Sequence, residues 1–118
     1  IELNLPNTNA REKMNTSRTV RHVVLVKFKP EASLEHREEL IRLSQWGRNA
    51  EYVAGYKCGV AVKPNPYAGQ TEEWDWGMSL DLSEDDVNRY RDDPVHEAIP
   101  EEVIACAEKF AILDFIID

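Results

Sequence analysis

Hydrophobic and polar positions alternate most cleanly at 74–82, where Trp74, Trp76, Met78, Leu80 and Leu82 interleave with Asp75, Gly77, Ser79 and Asp81. Successive side chains of a strand point to opposite faces, so this run predicts a strand with one wholly apolar side. A second alternation covers Val20–Lys29, with His22, Val24, Val26 and Phe28 on one face and Val23, Leu25 and Lys27 on the other, closed by Pro30. Ala54–Val62 reads as a strand with Tyr56, Cys58, Val60 and Val62 on a common face, and Lys109–Ile117 as a strand apolar on almost both faces.

Between these runs the period changes. Glu31 to about Ala50 is rich in helix formers, with Leu40, Leu43, Trp46 and Ala50 on one stripe beside Gly47, which allows close approach. Lys63–Thr71 holds two Pro and a Gly and reads as a loop. Ser83 with Asp86 resembles a helix start, predicting a helix to about Arg91. Asp93 followed by Pro94 repeats the signal for a short helix carrying Val95 and His96, and Pro100 opens another turn toward Cys106. The order strand, helix, strand, strand, helices, strand predicts an α+β four-stranded antiparallel sheet with helices on one face, whose other face needs a partner. Asp75, Ser79, Asp81 and Lys27 oppose the apolar sides of their strands, and pairing Asp to Lys across that interface would satisfy them.

Composition bounds the class. With 118 residues, 42% of them apolar, the chain suits one domain with a real core. Residues 1–19 are mostly polar, contain Pro6 and show no sustained period, so they read as an N-terminal arm, with residues 20–118 as the domain. Met14 offers a shorter reading frame, and residues 1–13 are expected to be an extension. No apolar run approaches the roughly 20 residues a membrane span needs, and no secretion signal is legible, so a cytoplasmic protein without a membrane partner is expected.

The net charge is −8, and residues 72–102 alone hold 12 acidic side chains against Arg89 and Arg91. No basic stripe exists to neutralise phosphates, which argues against nucleic acid. The acidic stretch reads as a solvated face. Cys58 and Cys106 stand 48 positions apart with no CxxC, so neither zinc nor a disulfide framework is expected, and no metal or cofactor site is assigned. No phosphate loop, GxSxG or HExxH occurs.

Three polar rings stand out as candidate catalytic groups. His96 lies in the first turn of a short helix, where the dipole disfavours an imidazolium and leaves a neutral ring able to take a proton. Its alternative role is to fasten the helix to the sheet. Tyr90, six residues upstream, is off that helical face unless Pro94 redirects the chain. His22 is a polar group on an otherwise apolar strand face and needs a partner if buried. It is either a satisfied strand-end histidine or an acid/base group in a pocket with Trp76, Met78 and Leu80. Val24, Val26, Phe28, Trp76, Met78 and Leu80 are the candidate ligand-binding residues. His36 on the first helix reads as solvated.

HVVLVKFKP, DWGMSLDL, YRDDPVHEAI and KFAILDF together resemble the stress-responsive dimeric α/β-barrel (Dabb) family, over about Val20 to Phe115. The most specific piece is Tyr90, a five-residue gap and His96 preceded by Pro94, with His22 at the strand start. The resemblance implies a ferredoxin-like fold pairing with a second copy into a dimeric α/β barrel, with a pocket between sheet and helices. Members include plant stress proteins and a plant polyketide cyclase that forms olivetolic acid, in which a Tyr and a His at the positions of Tyr90 and His96 act in base catalysis. A first-strand His matches His22. The family cyclase's third-strand His is Trp76 here, and a His before the Pro is Asp93, so substrate identity does not carry over. Three functions stay open: a homodimer binding a small apolar molecule, a cofactor-free cyclase or lyase-type acid/base enzyme, and a structural stress protein acting through assembly.

Overall fold

A computed structural model describes residues 17–67, 69 and 72–117. The expected arm lies almost wholly outside the described residues. Among them, strand β1 (Thr19–Phe28) leads to helix α1 (Leu34–Ser44), a 3₁₀ turn (Gln45–Asn49) and β2 (Ala54–Val60). Then come β3 (Trp76–Ser83), a 3₁₀ turn (Glu84–Asp86), α2 (Val87–Arg91), α3 (Pro94–Glu97), α4 (Glu101–Ile104) and β4 (Ala107–Ile117). The sheet order is β2-β3-β1-β4, with antiparallel neighbours throughout.

The expected start of α1 at Glu31 moves to Leu34. Ser33 Oγ accepts from the His36 amide at 3.1 Å and caps the helix there. The residues ahead form a turn whose Lys29, Pro30 and Ala32 carbonyls all accept from the Arg37 guanidinium. The helix expected to run on to Ala50 ends at Ser44 and tightens into the 3₁₀ turn that holds Gly47. Asp93 Oδ1 accepts from the Val95 amide at 2.9 Å and caps α3, with Pro94 at the first helical position.

Cross-strand register sorts the sheet into rows. On the helix-covered side one row runs Val60, Trp76, Val26, Phe110 and the next Cys58, Met78, Val24, Ile112. The helices cover the middle of these rows: Trp76 is 3% and Val26 1% exposed, whereas Val60 and Ile112 at the edges are 81% and 64% exposed. Leu40 of α1, Leu80 and Leu82 of β3, Tyr90 of α2 and Val103 of α4 complete the core.

The opposite side carries Lys57, Ser79, Val23 and Leu113 in one row and Gly59, Gly77, Leu25 and Ala111 in another. A Cβ at Gly77 would stand 3.2 Å from Leu25 Cδ2, a tight contact that glycine relieves where Leu25 lies across β3. Of the polar groups expected to pair across an interface, Asp81, Lys27 and Asp75 are matched within the chain. Arg21 holds Asp81 at 2.8 Å, Lys27 holds Glu72 at 2.8 Å, and Lys63 pairs with Asp75. Leu113 and Phe115 stay exposed on this side.

The acidic stretch divides. Glu72, Asp81, Glu84 and Asp92 sit in ion pairs, and Asp85, Glu97, Glu101 and Glu102 face solvent. No described helix is long and apolar enough to cross a membrane.

Candidate functional site

Between the helices and strands β1, β3 and β4 lies a cavity of about 430 Å³. Its sheet wall is Val24, Trp76, Met78, Phe110 and Ile112. Its helix wall comes from Leu40 and Trp46 with Tyr90, Ile99 and Ile104. Polar groups enter from His22, Asp114, Tyr90, Arg91 and His96.

His22 takes its place because β1 pairs it with Leu80 on one side and Asp114 on the other. Its Nδ1 lies 2.5 Å from Asp114 Oδ1. A carboxylate oxygen accepts, so Nδ1 carries a proton and donates to it; in the Nδ1–H tautomer this contact selects, Nε2 is an acceptor. His96 is fixed in the same sense. Its Nδ1 lies 3.2 Å from the Arg91 carbonyl oxygen, which can only accept, so the proton is on Nδ1 and Nε2 is the free basic position.

Tyr90 and His96 meet because the helix breaks. In one continuous helix, residues six apart face away from each other. Here α2 ends at Arg91, Asp93 is extended before Pro94, and α3 starts on a new axis. The two rings end with centroids 6.2 Å apart. Both lie nearly parallel to the Trp46 indole, at 4.7 Å for Tyr90 and 5.6 Å for His96. Opposite faces of the indole would separate them by roughly 10 Å at such stacking distances, so both rings rest on one face of Trp46. His22 approaches Tyr90 from the sheet at 4.9 Å.

Gly47 makes that packing possible. A Cβ there would stand 3.0 Å from Tyr90 Cε1 and 3.3 Å from its hydroxyl oxygen. The Tyr90 hydroxyl makes no hydrogen bond with another described residue. Burial pushes its phenol well above the ordinary range, so it is a neutral donor at neutral pH.

Of the residues singled out in the sequence, His22, Tyr90, His96, Val24, Trp76 and Met78 line this cavity. Val26, Phe28 and Leu80 do not: they are 1%, 6% and 0% exposed within the packed core nearby. Asp93 serves as helix cap and accepts from the Tyr52 hydroxyl at 2.9 Å. His36 is exposed. Two contributors escaped the sequence reading. Trp46 looked like one more member of a helical core stripe. Asp114 carried a signal, as the one charge inside the apolar run FAILDFII. Among the described residues no group of three or more His, Cys, Asp or Glu could hold a metal ion.

The profile of the Stress responsive A/B Barrel Domain family (Dabb) matches residues 20–117. The chain belongs to the Dabb family. Its ferredoxin-like α+β fold recurs in solved structures. A hydroxynitrile lyase from Passiflora edulis superposes with a TM-score of 0.71 at 19% identity, over 86% of this chain and 94% of the other. A dimeric ferredoxin-like protein of unknown function from Thermobifida fusca gives 0.67 at 20% identity, over 86% and 93%. A Dabb family protein from Mesorhizobium loti gives 0.63 at 22% identity, over 83% and 95%. No curated protein sequence matches significantly. At these identities the likeness establishes the fold, and the Dabb cavity must be read from its own residues.

Proposed function

We propose that this Dabb chain forms a homodimer and binds a small, mostly apolar molecule between its sheet and its helices. The observation that carries the reading is a cavity of about 430 Å³ whose walls are apolar while His22, Tyr90 and His96 converge at one side. Small-molecule sites typically combine such walls with a few placed polar groups, in roughly 300–1,000 Å³. The dimer is supported by the exposed Leu113 and Phe115 on the uncovered sheet side and by solved neighbours described as dimeric. Both cysteines are free, which suits a reducing, cytoplasmic setting.

The test pairs native mass spectrometry with titration of a fluorescent probe, 1-anilinonaphthalene-8-sulfonate. The expected result is a dimer that takes the probe saturably. Val24→Phe, which fills the cavity floor, should weaken uptake about tenfold at unchanged far-UV circular dichroism. A monomer, or uptake indifferent to Val24→Phe, overturns the reading.

A specific observation favours a second reading. His22 and His96 both present Nε2, and a neutral phenol lies beside them, an arrangement suited to moving a proton on a ketone-bearing substrate. A hydroxynitrile lyase among the fold neighbours fits an enzyme of this kind. Wash-in of solvent deuterium at the methyl group of acetophenone, followed by NMR, tests it. Loss of wash-in in His96→Ala supports the enzyme, and equal rates reject it. The assembly-only reading has less support, because the interior is not filled by side chains.

A further inference from the structure

Between the end of α2 at Arg91 and the start of β4 at Ala107, the cavity's helix wall is made of two helices of four residues each, α3 and α4. Asp93 and Pro100, which stand ahead of them, are both extended, with ψ of 129° and 142°. The two ends of this stretch are anchored. The Tyr52 hydroxyl donates to Asp93 at 2.9 Å, and Val103 of α4 is 7% exposed within the core. The middle is not: α3 has no buried residue, and Pro94 to Ala98 are all exposed. Among the described residues, the hydrogen bonds of residues 94–99 stay within 91–99.

Beside half-buried Ile99, which lines the cavity, one side chain ties α3 down. The His96 ring stacks on the Trp46 indole at 5.6 Å, and its Nδ1 contact with the Arg91 carbonyl oxygen, at 3.2 Å, spans the joint at Asp93. His96 also lines the cavity, 6.2 Å from the Tyr90 ring. The side chain that latches α3 is therefore one that an occupant of the cavity can touch. A stacked ring pair shifts a docking equilibrium by roughly a factor of 2 to 10, which makes this a light latch.

We propose that α3 is a lid over the polar end of the cavity, hinged at Asp93 and Pro100 and latched by His96 on Trp46, and that a bound ligand holds it shut. This deepens the binding site proposed above and rests on that reading. Segments with few buried apolar contacts open at the least cost, and 94–99 is such a segment beside the closed core of β3. With the lid docked, His96 joins His22 and Tyr90 around one end of the cavity. With it undocked, His96 and Ile99 leave together and that end meets water. A ligand that touches either residue binds the docked state better and so shifts the population toward it.

Hydrogen–deuterium exchange read by mass spectrometry tests the lid, with anilinonaphthalenesulfonate as the probe and the β3 residues 76–82 as the internal standard. In the parent protein, saturating probe should slow exchange across 94–99 about tenfold and leave 76–82 unchanged. In His96→Ala, exchange across 94–99 should be faster than in the parent without probe. The slowing by probe should also be lost, at probe concentrations where fluorescence shows the cavity filled. Trp46→Leu, which removes the other half of the latch, should behave alike; His96 is exposed, so His96→Ala carries the test even if Trp46→Leu does not fold. Saturable probe uptake with no change across 94–99 overturns the lid and leaves the binding site standing. Equal slowing in the parent and in His96→Ala overturns the latch. Absence of probe uptake overturns the binding reading and the ligand-held closure together. The latch is then decided by the free protein alone, faster exchange in His96→Ala upholding it and an unchanged rate rejecting it.

Discussion

Asp114 Oδ1 sits 2.5 Å from Nδ1 of His22, a contact between side chains 92 residues apart in sequence that adjacent strands bring side by side. The His22 side chain is only 12% exposed, and the carboxylate, at 37%, is the more solvated partner. The pair therefore acts chiefly by fixing the ring's tautomer and plane.

Replacing Asp114 with Ala should release that tautomer. Free imidazole favours the proton on Nε2, so ¹⁵N NMR of the His22 ring should move from the Nδ1–H form toward the Nε2–H form. Asn at this position keeps an acceptor and should largely retain the Nδ1–H form. The stability cost of Asp114→Ala should be about 1 kcal/mol, given the partial exposure of the pair. An unchanged ring spectrum in the Ala variant would show that the carboxylate does not set the tautomer.

Gly47→Ala tests how tightly Tyr90 is seated. The added methyl carbon would meet ring Cε1 at 3.0 Å and Leu80 Cδ2 at 3.5 Å. Overpacking of this kind costs about 1–3 kcal/mol. The near-UV circular dichroism of the Trp46–Tyr90 stack should weaken with it. A variant as stable as the parent, with the same near-UV signal, would mean that Tyr90 has room the structure does not give it.

Leu80 is 0% exposed, in the core cluster that also holds Leu40 of α1, Tyr90 of α2 and Val103 of α4. Leu80→Ala should cost about 2–5 kcal/mol in urea unfolding at fixed protein concentration. A loss below about 1 kcal/mol would contradict a closed core beneath the cavity.

Alkaline pH should act through Tyr52. Burial and then the hydrogen bond to Asp93 push its phenol up to about 12. Its unfolded value is near 10, so the folded state prefers the neutral phenol. That contribution is complete below about pH 10 and is lost as pH rises toward 12. The stability gap between the parent and Tyr52→Phe, measured by urea unfolding, should therefore narrow across this window. A constant gap would show that Tyr52 ionises alike in both states.

Much of the fold was legible in local pattern. The alternation at 76–82 put Trp76, Met78, Leu80 and Leu82 on one buried face, and the caps at Ser83 and Asp93 appear where their side chains suggested. Boundaries were less legible. Capped by Ser33, α1 begins three residues after the expected start, because the Arg37 guanidinium organises the preceding carbonyls, a contact that no propensity encodes. Trp74 falls outside β3, where the Lys109 ammonium lies 5.8 Å from its ring.

By itself the sequence determined which face each strand and helix would bury, because side-chain direction follows from period alone. It also marked His22, Tyr90 and His96 as polar groups in places that need partners. Tertiary structure alone decided that Trp46 underlies both Tyr90 and His96, that Asp114 answers His22, and that Val26, Phe28 and Leu80 close into core while Val24 stays open to the cavity. Those outcomes depend on strand order and on the bend at Pro94, which bring together residues distant in sequence, and periodicity carries no information about such distances.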